Sequence, residues 1–326
     1  MEKIIRWGIV GAGNIANKFA EAMNHVSGAE LVAVASRSEE TGKAFAEKHH
    51  IGKLFVGYEE MAKSDMIDAV YIATPHPFHK PCAELFLNAK KHVLCEKPVC
   101  VNEKQAVALL TCAEENGVFL MEAMWTRFLP AIHEAVRVAN SGEIGEIRSV
   151  SADFCYSSTP QEEAKIFDNA MAGGSLLDVG VYGLNFAAIV LGEHPESMVA
   201  VSDVADGVDC QTNVLLKYAN GTTAHISSAI NVQKPATGYI YGTKGYIEVP
   251  DFFGAQELIV HKGTEENRIR KPSIGEGFEE EIIESCQCIR AGKTQSDSMP
   301  MAESIRIMKQ MDDIRKMIHL TYPFDA

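Results

Sequence analysis

The segment Gly11-Ala12-Gly13-Asn14-Ile15-Ala16 constrains the fold more than any other part of this sequence. It directly follows an apolar strand pattern over residues 4–10 and opens a helical pattern over residues 14–24. Its spacing matches the G-x-G-x-x-G/A turn, whose first glycine permits a tight turn and whose second lets the backbone approach a pyrophosphate. The phosphates then bind at the amino terminus of the helix, where free N–H groups favour anions. The alternative is a tight strand-to-helix turn that binds no ligand.

Strand and helix patterns alternate over the first part of the chain. Further strand patterns cover residues 31–35, 53–56, 69–73, 92–97 and 118–121, and helical patterns lie between most of them. Such alternation is typical of a parallel sheet with crossover helices. Together with the glycine turn it predicts a doubly wound Rossmann domain over residues 1–122, which binds a dinucleotide.

The pattern changes after Trp125. A helical pattern over residues 130–140 is followed by strand patterns at 146–156, 198–204, 210–218, 222–232, 237–241 and 245–249, with a helix at about 174–191 after the first of them. Turn signals such as Asn220-Gly221 separate several of these strands,. We predict an α+β substrate and oligomerisation domain over residues 123–326, with a large, mostly antiparallel open sheet. The final helix, at about residues 303–318, is expected to pack back on the first domain.

Composition excludes several classes of protein. A chain of 326 residues exceeds the usual size of a single core, so two domains are expected,. The formal net charge of −14 argues against a general nucleic-acid or anionic-membrane surface,. No secretory leader pattern and no sufficiently long apolar run is visible, which predicts a cytoplasmic protein without a membrane span. The eight cysteines form no C-x-x-C pair, so we expect buried thiols and no metal site,.

The end of the second strand bears on the choice of cofactor. NAD-specific enzymes usually place an acid there, about 20 residues after the glycine turn, to bind the ribose 2′-hydroxyl. This chain has Ser36-Arg37-Ser38 instead. A serine and a guanidinium suit a 2′-phosphate, which a carboxylate would repel. The sequence therefore predicts a preference for NADP, with NAD also possible.

Lys97 follows a strand pattern and precedes a proline, in the run His92-Val93-Leu94-Cys95-Glu96-Lys97-Pro98. Open α/β sheets bind ligands at the carboxyl ends of their strands, so a cation fixed there is a candidate site residue. The alternative is a solvated lysine on a turn.

Asp178 and Tyr182 are four residues apart in the predicted helix 174–191, which puts them on one helical face,. A phenol can give and take a proton, but its ordinary pKa of about 10 is too high for work near neutrality. A nearby lysine cation would lower that pKa, so Lys97 and Tyr182 make chemical sense together. The alternatives are a packed aromatic side chain for Tyr182 and an acid that favours the helix start for Asp178.

These segments together resemble the Gfo/Idh/MocA oxidoreductases, over essentially the whole chain. The resemblance is carried by the glycine turn, Ala73-Thr74-Pro75 with His79, Glu96-Lys97-Pro98, the segment 173–182 and the closing Tyr322-Pro323-Phe324. Met121-Glu122-Ala123-Met124-Trp125-Thr126-Arg127-Phe128 and the tyrosine at 182 are most similar to the branch of dimeric dihydrodiol dehydrogenases and NADP-dependent D-xylose dehydrogenases. Many family members have histidine at the position of Tyr182.

The resemblance implies a role for each matching residue. Tyr182 is expected as general acid/base, Lys97 as the cation that contacts substrate hydroxyl and nicotinamide ribose, and Asp178 as the group that orients the substrate. Residues expected around the cofactor are Gly11, Ala12, Gly13, Asn14, Ile15, Ser36, Arg37, Thr74, Pro75, His79, Glu96, Lys97, Trp125 and Arg127. Trp125 could equally lie at a domain or subunit contact. His76 is an alternative base, although its loop is more typical of cofactor lining.

The expected reaction is hydride transfer between nicotinamide C4 and a carbinol carbon of a sugar, polyol or vicinal diol. The resemblance also implies a homodimer or higher oligomer formed through the second sheet. Two alternatives are an NADP-binding sensor without turnover and a reductase of imines or enones with the same fold. A sensor needs the glycine turn but no proton relay, so the combination of Lys97, Asp178 and Tyr182 favours an enzyme.

Overall fold

The structure is a computed structural model that describes residues 3–192 and 194–325. The chain divides into two compact units. The first consists of Met1–Met124 and Ile274–Arg306, and the second of Trp125–Ser273 and Ile307–Ala326.

The first unit is built on a six-stranded sheet in the order β3-β2-β1-β4-β5-β6. Every adjacent pair is parallel, so all carboxyl ends lie at one edge. The strand order reverses between β1 and β4, which in doubly wound sheets is where the ligand crevice opens. The predicted Rossmann fold is confirmed. The strands are β1 Ile5–Val10, β2 Ala29–Ser36, β3 Lys53–Val56, β4 Ala69–Ile72, β5 His92–Glu96 and β6 Leu120–Ala123.

All four residues of the central strand β4 are buried, which indicates that both faces of this sheet are covered,. Asn102 caps α5, since its side chain accepts from the Gln105 N–H at 3.0 Å. Gln105 in turn accepts from the Val101 N–H, at 3.2 Å. The helices of this unit are α1 Asn14–Ala22, α2 Glu39–Lys48, α3 Glu59–Lys63, α4 His79–Asn88, α5 Glu103–Asn116 and, after the second unit's sheet, α8 Phe278–Arg290.

The second unit is built on an eight-stranded sheet in the order β14-β13-β12-β11-β7-β10-β9-β8. Only β7 and β10 pair in parallel, so the predicted mostly antiparallel sheet is confirmed. The hairpin β13–β14 was not predicted from the sequence. The strands are β7 Ile147–Cys155, β8 Ser197–Ala205, β9 Val208–Lys217, β10 Thr223–Ala229, β11 Gly238–Gly242, β12 Tyr246–Val249, β13 Glu257–Lys262 and β14 Glu265–Arg270.

Two helices, α6 Pro130–Asn140 and α7 Val181–Leu191, pack on this sheet. Val150, Ile240, Ile247 and Val260 lie opposite one another across four strands and are all buried, so they form the covered face. The unit boundary at Arg306 falls within the last helix, α9 Met301–Met317.

The predicted helix at 174–191 is divided in two. A π-helical turn, Leu176–Gly180, precedes α7. The stretch Asn169–Leu191 is long and apolar enough to cross a membrane, but 83% of its most apolar window is buried inside the protein. Such burial is what a core helix shows.

Candidate active site

The turn after β1 has the geometry that a dinucleotide turn requires. Gly11 has a φ of +105°, and a Cβ there would lie 2.7 Å from the carbonyl oxygen of Ala73, so only glycine fits,. A Cβ on Gly13 would meet nothing within 4 Å among the described residues, which leaves room at the start of α1. Within the described chain no side chain caps α1, and its first turn has no acidic residue. The helix N–H groups there suit an anion.

The end of β2 presents Arg37 to solvent and keeps Ser36 buried. The Arg37 guanidinium lies over the Phe78 ring, 5.4 Å from its centroid. The Ser36 hydroxyl accepts from the Ser38 N–H at 3.3 Å, and Ser38 caps α2 by accepting from the Thr41 N–H. Arg37 is therefore the exposed cation of this segment, while the two serines shape the turn.

His79 connects two loops at the carboxyl edge of the sheet. Its ring is buried, with Nδ1 2.8 Å from the Pro98 carbonyl oxygen and Nε2 2.6 Å from that of Thr74. Burial lowers the pKa of His79 to about 4, although both carbonyl contacts oppose this change. The ring is thus neutral near pH 7 and donates through only one of its nitrogens, and it lies between the Thr74-Pro75 loop and the cis Lys97–Pro98 peptide.

Lys97 is half-buried at the end of β5, beside a buried carboxyl group. Its backbone N–H donates to Glu96 Oε2 at 3.0 Å, and the Tyr71 hydroxyl donates to Glu96 Oε1. Burial raises the pKa of Glu96 to about 7, against the lowering effects of the Lys97 charge and of these hydrogen bonds. Tyr71 and Glu96 therefore hold the strand end that carries Lys97.

Tyr182 lies in the second unit, at the second residue of α7, with 7% of its surface exposed. Its hydroxyl accepts from Trp125 Nε1 at 3.1 Å. Its ring contacts those of Phe154 and Phe253, at centroid distances of 5.4 and 6.1 Å. Phe154 and Phe253 stack on each other at 4.2 Å. The hydroxyl is thus the polar group of an aromatic cluster, which we define as Trp125, Phe154, Tyr182, Phe252 and Phe253.

Asp178 lies in the π-helical turn and binds a tyrosine that the sequence did not single out. The Tyr156 hydroxyl donates to Asp178 Oδ2 at 2.8 Å. Burial, and then the Asp178 charge, raise the pKa of Tyr156 far above its ordinary value. Burial and the Asp178 charge also raise the pKa of Glu163. Tyr156 therefore stays protonated, and its hydrogen bond fixes the Asp178 carboxyl group as an acceptor.

Arg127 belongs to a 3₁₀ turn, Trp125–Phe128, that packs against the start of α7. Its guanidinium donates to Asn185 Oδ1 at 3.3 Å. Asn185 is fully buried and donates to the Val181 carbonyl oxygen at 3.0 Å. Arg127 is half-buried and joins the 3₁₀ turn to α7, the helix that carries Tyr182.

The predicted site residues fall into two groups, one in each unit. In the first unit the glycine turn, the end of β2, the Thr74 loop and the end of β5 all follow strands at the carboxyl edge. In the second unit Trp125 contacts Tyr182. Sequence reasoning missed Tyr71, Tyr156, Asn185 and Phe253, because each is an ordinary core or loop residue until a distant contact is known. Among the described residues no cluster of three or more His, Cys, Asp or Glu side chains is arranged to hold a metal ion.

Two protein-family models and several known enzymes match this chain. The model of the GFO/IDH/MocA oxidoreductase family, described as an NAD-binding Rossmann fold, matches residues 5–124. The model of the GFO/IDH/MocA C-terminal domain matches residues 132–248. The trans-1,2-dihydrobenzene-1,2-diol dehydrogenase of Mus musculus is 36% identical over 334 residues, which cover 98% of this chain and 99% of that enzyme. The Homo sapiens enzyme of the same name is 35% identical over 333 residues, with the same coverage.

Solved structures are similar over nearly the whole chain. KijD10, a 3-ketoreductase from Actinomadura kijaniata crystallised with NADP and TDP-benzene, has a TM-score of 0.89 and 28% identity, covering 96% of this chain and 98% of that one. An aldose-aldose oxidoreductase from Caulobacter crescentus, crystallised with glycerol, has a TM-score of 0.88 and 23% identity, covering 97% of this chain and 98% of that one. Because the Caulobacter crescentus enzyme is only 23% identical, its similarity supports a shared fold alone.

Proposed function

Because this chain belongs to the GFO/IDH/MocA oxidoreductase family, we propose that it is an NADP-preferring dehydrogenase acting on a CH–OH group of a sugar, polyol or vicinal diol. The proposal rests mainly on the environment of the Tyr182 hydroxyl group. It is a nearly buried phenol oxygen that accepts from Trp125 and borders stacked aromatic rings. Such a group suits the transfer of a proton to or from a substrate hydroxyl.

The cofactor fits the first unit. Gly11, Ala12, Gly13, Asn14 and Ile15 form a turn with room for a pyrophosphate at the start of α1. The exposed Arg37 suits a 2′-phosphate, and Thr74, Pro75, Glu96 and Lys97 follow β4 and β5 at the same edge. The NADP bound to KijD10 supports the same cofactor here.

In the proposed reaction the nicotinamide, when bound, accepts or supplies a hydride. Tyr182 takes the proton of the substrate hydroxyl during oxidation and returns it during reduction. The hydrogen bond donated by Trp125 stabilises the phenolate form of Tyr182, because it is made to the oxygen that becomes charged,. We assign Lys97 to the same reaction on chemical grounds, because its positive charge would stabilise both the Tyr182 phenolate and the substrate alkoxide.

The surroundings of Tyr182 support the proposed substrate class. The rings of Phe154 and Phe253 offer apolar faces next to the proton-transferring oxygen. Asp178 offers an acceptor for a second hydroxyl, and its own place is fixed by Tyr156. A ring compound with adjacent hydroxyls on one side and C–H groups on the other fits these surroundings, because its C–H groups suit the aromatic faces and its second hydroxyl suits Asp178. The names of the relatives, which include dihydrodiol dehydrogenases, support this class.

Turnover is tested first by absorbance at 340 nm with NADP and a panel of pentoses, hexoses and diols. We then expect Lys97→Met and Tyr182→Phe each to lower kcat by about 100-fold or more, the usual size of a general acid/base contribution. Binding of NADPH, followed by its fluorescence, should remain within a few-fold of wild type.

Lys43→Met, at an exposed lysine, and Tyr239→Phe, at a half-buried tyrosine, are the matched controls and should keep normal kcat. Near-normal turnover of either Lys97→Met or Tyr182→Phe would refute the role assignment. Binding of NADPH without turnover of any substrate would instead favour a sensor.

We further propose that residues 1–122 form the dinucleotide-binding domain and residues 123–326 the substrate and oligomerisation domain, except that Ile274–Arg306 belongs to the first compact unit. The protein is proposed to act in the cytoplasm as a homodimer or higher oligomer formed through the open face of the second sheet. All eight cysteines are free thiols, which suits a reducing compartment,.

A further inference from the structure

We propose that Asp209 and Tyr322 are positioning residues, which hold the start of the segment that carries Asp178 and Tyr182. Neither residue belongs to the aromatic cluster or to the assigned machinery. The inference rests on the proposed function, because it takes Asp178 and Tyr182 as the groups that meet the substrate. It also gives a purpose to the closing Tyr322-Pro323-Phe324, which the proposed reaction leaves unexplained.

The segment begins at two glycines that tolerate no side chain. A Cβ on Gly173 would lie 2.2 Å from the Ile166 carbonyl oxygen, and one on Gly174 would lie 2.1 Å from Asp209 Oδ1. Gly174 also has a φ of +114°, which favours glycine,. Its N–H donates to the Ile166 carbonyl oxygen at 2.8 Å. The close approach of Asp209 to this backbone therefore depends on Gly174.

Asp209 caps the helical segment from another strand. It is fully buried in β9, and its Oδ2 accepts from the Leu176 N–H and the Ser175 hydroxyl, both at 2.8 Å. The same oxygen accepts from the Thr212 hydroxyl at 2.7 Å. Leu176 is the first residue of the π-helical turn, so Asp209 satisfies an N–H group that the helix start leaves unpaired,. A carboxylate there also interacts favourably with the helix dipole.

Tyr322 holds the other side of the same turn. Its hydroxyl donates to the Gly173 carbonyl oxygen at 2.6 Å, and only 4% of the residue is exposed. The Arg315 guanidinium lies 4.8 Å from the centroid of its ring and forms an ion pair with Asp325. The Tyr322 N–H donates to Asp325 Oδ2 at 2.8 Å. These contacts fix the end of the chain against residue 173.

Asp178 follows this anchored turn by four residues, and Tyr182 follows Asp178 by four more. The Asp178 N–H faces the Gly174 carbonyl oxygen at 3.4 Å, a long contact at the start of the π-helical turn. Asp178 and Tyr182 lie in helical turns that follow one another directly. Release of the first turn would therefore displace both the Asp178 and the Tyr182 side chains. Misplacement by about 1 Å costs up to about 100-fold in rate when a reaction depends on orientation.

The test uses Tyr322→Phe and Asp209→Asn in the full chain, with the buried Tyr218→Phe as the control for loss of a hydroxyl. We expect kcat to fall by about 10-fold or more in both test variants. The KM for NADP and the affinity for NADPH should stay within about two-fold, because the first unit is untouched. The pH profile of kcat should shift, since the environment of the Tyr182 phenol changes. Hydrogen–deuterium exchange should be faster in residues 173–182 alone, and Tyr218→Phe should match wild type there.

Unchanged kcat and unchanged exchange in residues 173–182 would overturn the inference. A general loss of protection throughout the second unit would also count against it, since that is a purely structural effect. If Asp209→Asn fails to fold, Ser175→Ala removes one donor to Asp209 and should show a smaller effect of the same kind. Absence of turnover in wild type would refute the proposed function, while the exchange measurement would still decide whether these residues hold the segment.

Discussion

At the scale of single residues, the proposed preference for NADP rests on Arg37. It is exposed at the end of β2, and Phe78 supports its guanidinium from one side. We expect wild type to have the higher kcat/KM with NADP, and Arg37→Ala to lower that value by about 10-fold or more, because a charge-assisted contact to the 2′-phosphate is lost. The value with NAD, which lacks this phosphate, should change little.

Lys53→Ala is the matched control for Arg37→Ala. Lys53 also lies over an aromatic ring, that of Phe55, at 5.0 Å, but it is at the amino end of β3. Lys53→Ala should therefore leave kcat/KM unchanged with both NADP and NAD. A wild-type ratio that is equal or favours NAD would show that Ser36-Arg37-Ser38 does not select the 2′-phosphate.

At the scale of secondary-structure elements, α8 buries a carboxyl group that lacks a partner. Glu281 is fully buried, and neither of its carboxyl oxygens has a hydrogen-bond partner among the described residues. Burial, followed by the charges of Glu96 and Glu280, raises its pKa well above the ordinary 4.5. The folded protein therefore holds a proton that the unfolded chain releases, and stability falls as pH rises above about 4.5. Glu96, with a pKa near 7, adds to the same fall up to that pH.

We expect Glu281→Gln to flatten this pH dependence, because the amide does not titrate. Glu281→Met should also raise the free energy of unfolding at pH 8 by about 1–3 kcal/mol, the usual cost of an unsatisfied buried polar group. Urea unfolding from pH 4.5 to 8 measures both. The exposed Glu47→Gln on α2 should follow wild type, and an unchanged pH dependence in Glu281→Gln would show that Glu281 is ionised in the folded state.

How far the sequence predicts each element depends on where its stabilising contacts lie. Strands such as β3 and helices such as α6 were predicted at their observed bounds, because apolar periodicity and a first-turn proline are local signals,. The strand β14 was missed because its side chains are polar and mostly exposed, and only pairing with β13 orders it. The bond between Tyr156 and Asp178 joins residues 22 apart. No local pattern encodes such a contact, so the site's supporting residues could not be predicted.

At the scale of the whole molecule, the second sheet has one face that α6 and α7 leave uncovered. Val199 lies opposite Leu215, and Leu215 lies opposite His225, so these three share that face. Val199, Val201 and Leu215 are 62, 71 and 54% exposed. Farther along, Tyr239, Tyr241 and Tyr246 form contacts with one another. Exposed apolar side chains gathered on an uncovered sheet face are typical of a surface that packs against a partner.

We expect wild type to sediment at about twice the chain mass of 35.6 kDa or more,. The double variant Val199→Glu/Leu215→Glu should be monomeric, because an interface that covers this face would bury each introduced carboxylate without a partner. Val56→Glu, at a site of 57% exposure on β3, is the matched control and should keep the wild-type mass. A monomeric wild type, or a double variant that keeps its partner, would mean that subunits do not associate through this face. Since Val199 and Leu215 lie on strands β8 and β9, away from the aromatic cluster, a monomer that retains kcat would separate assembly from catalysis.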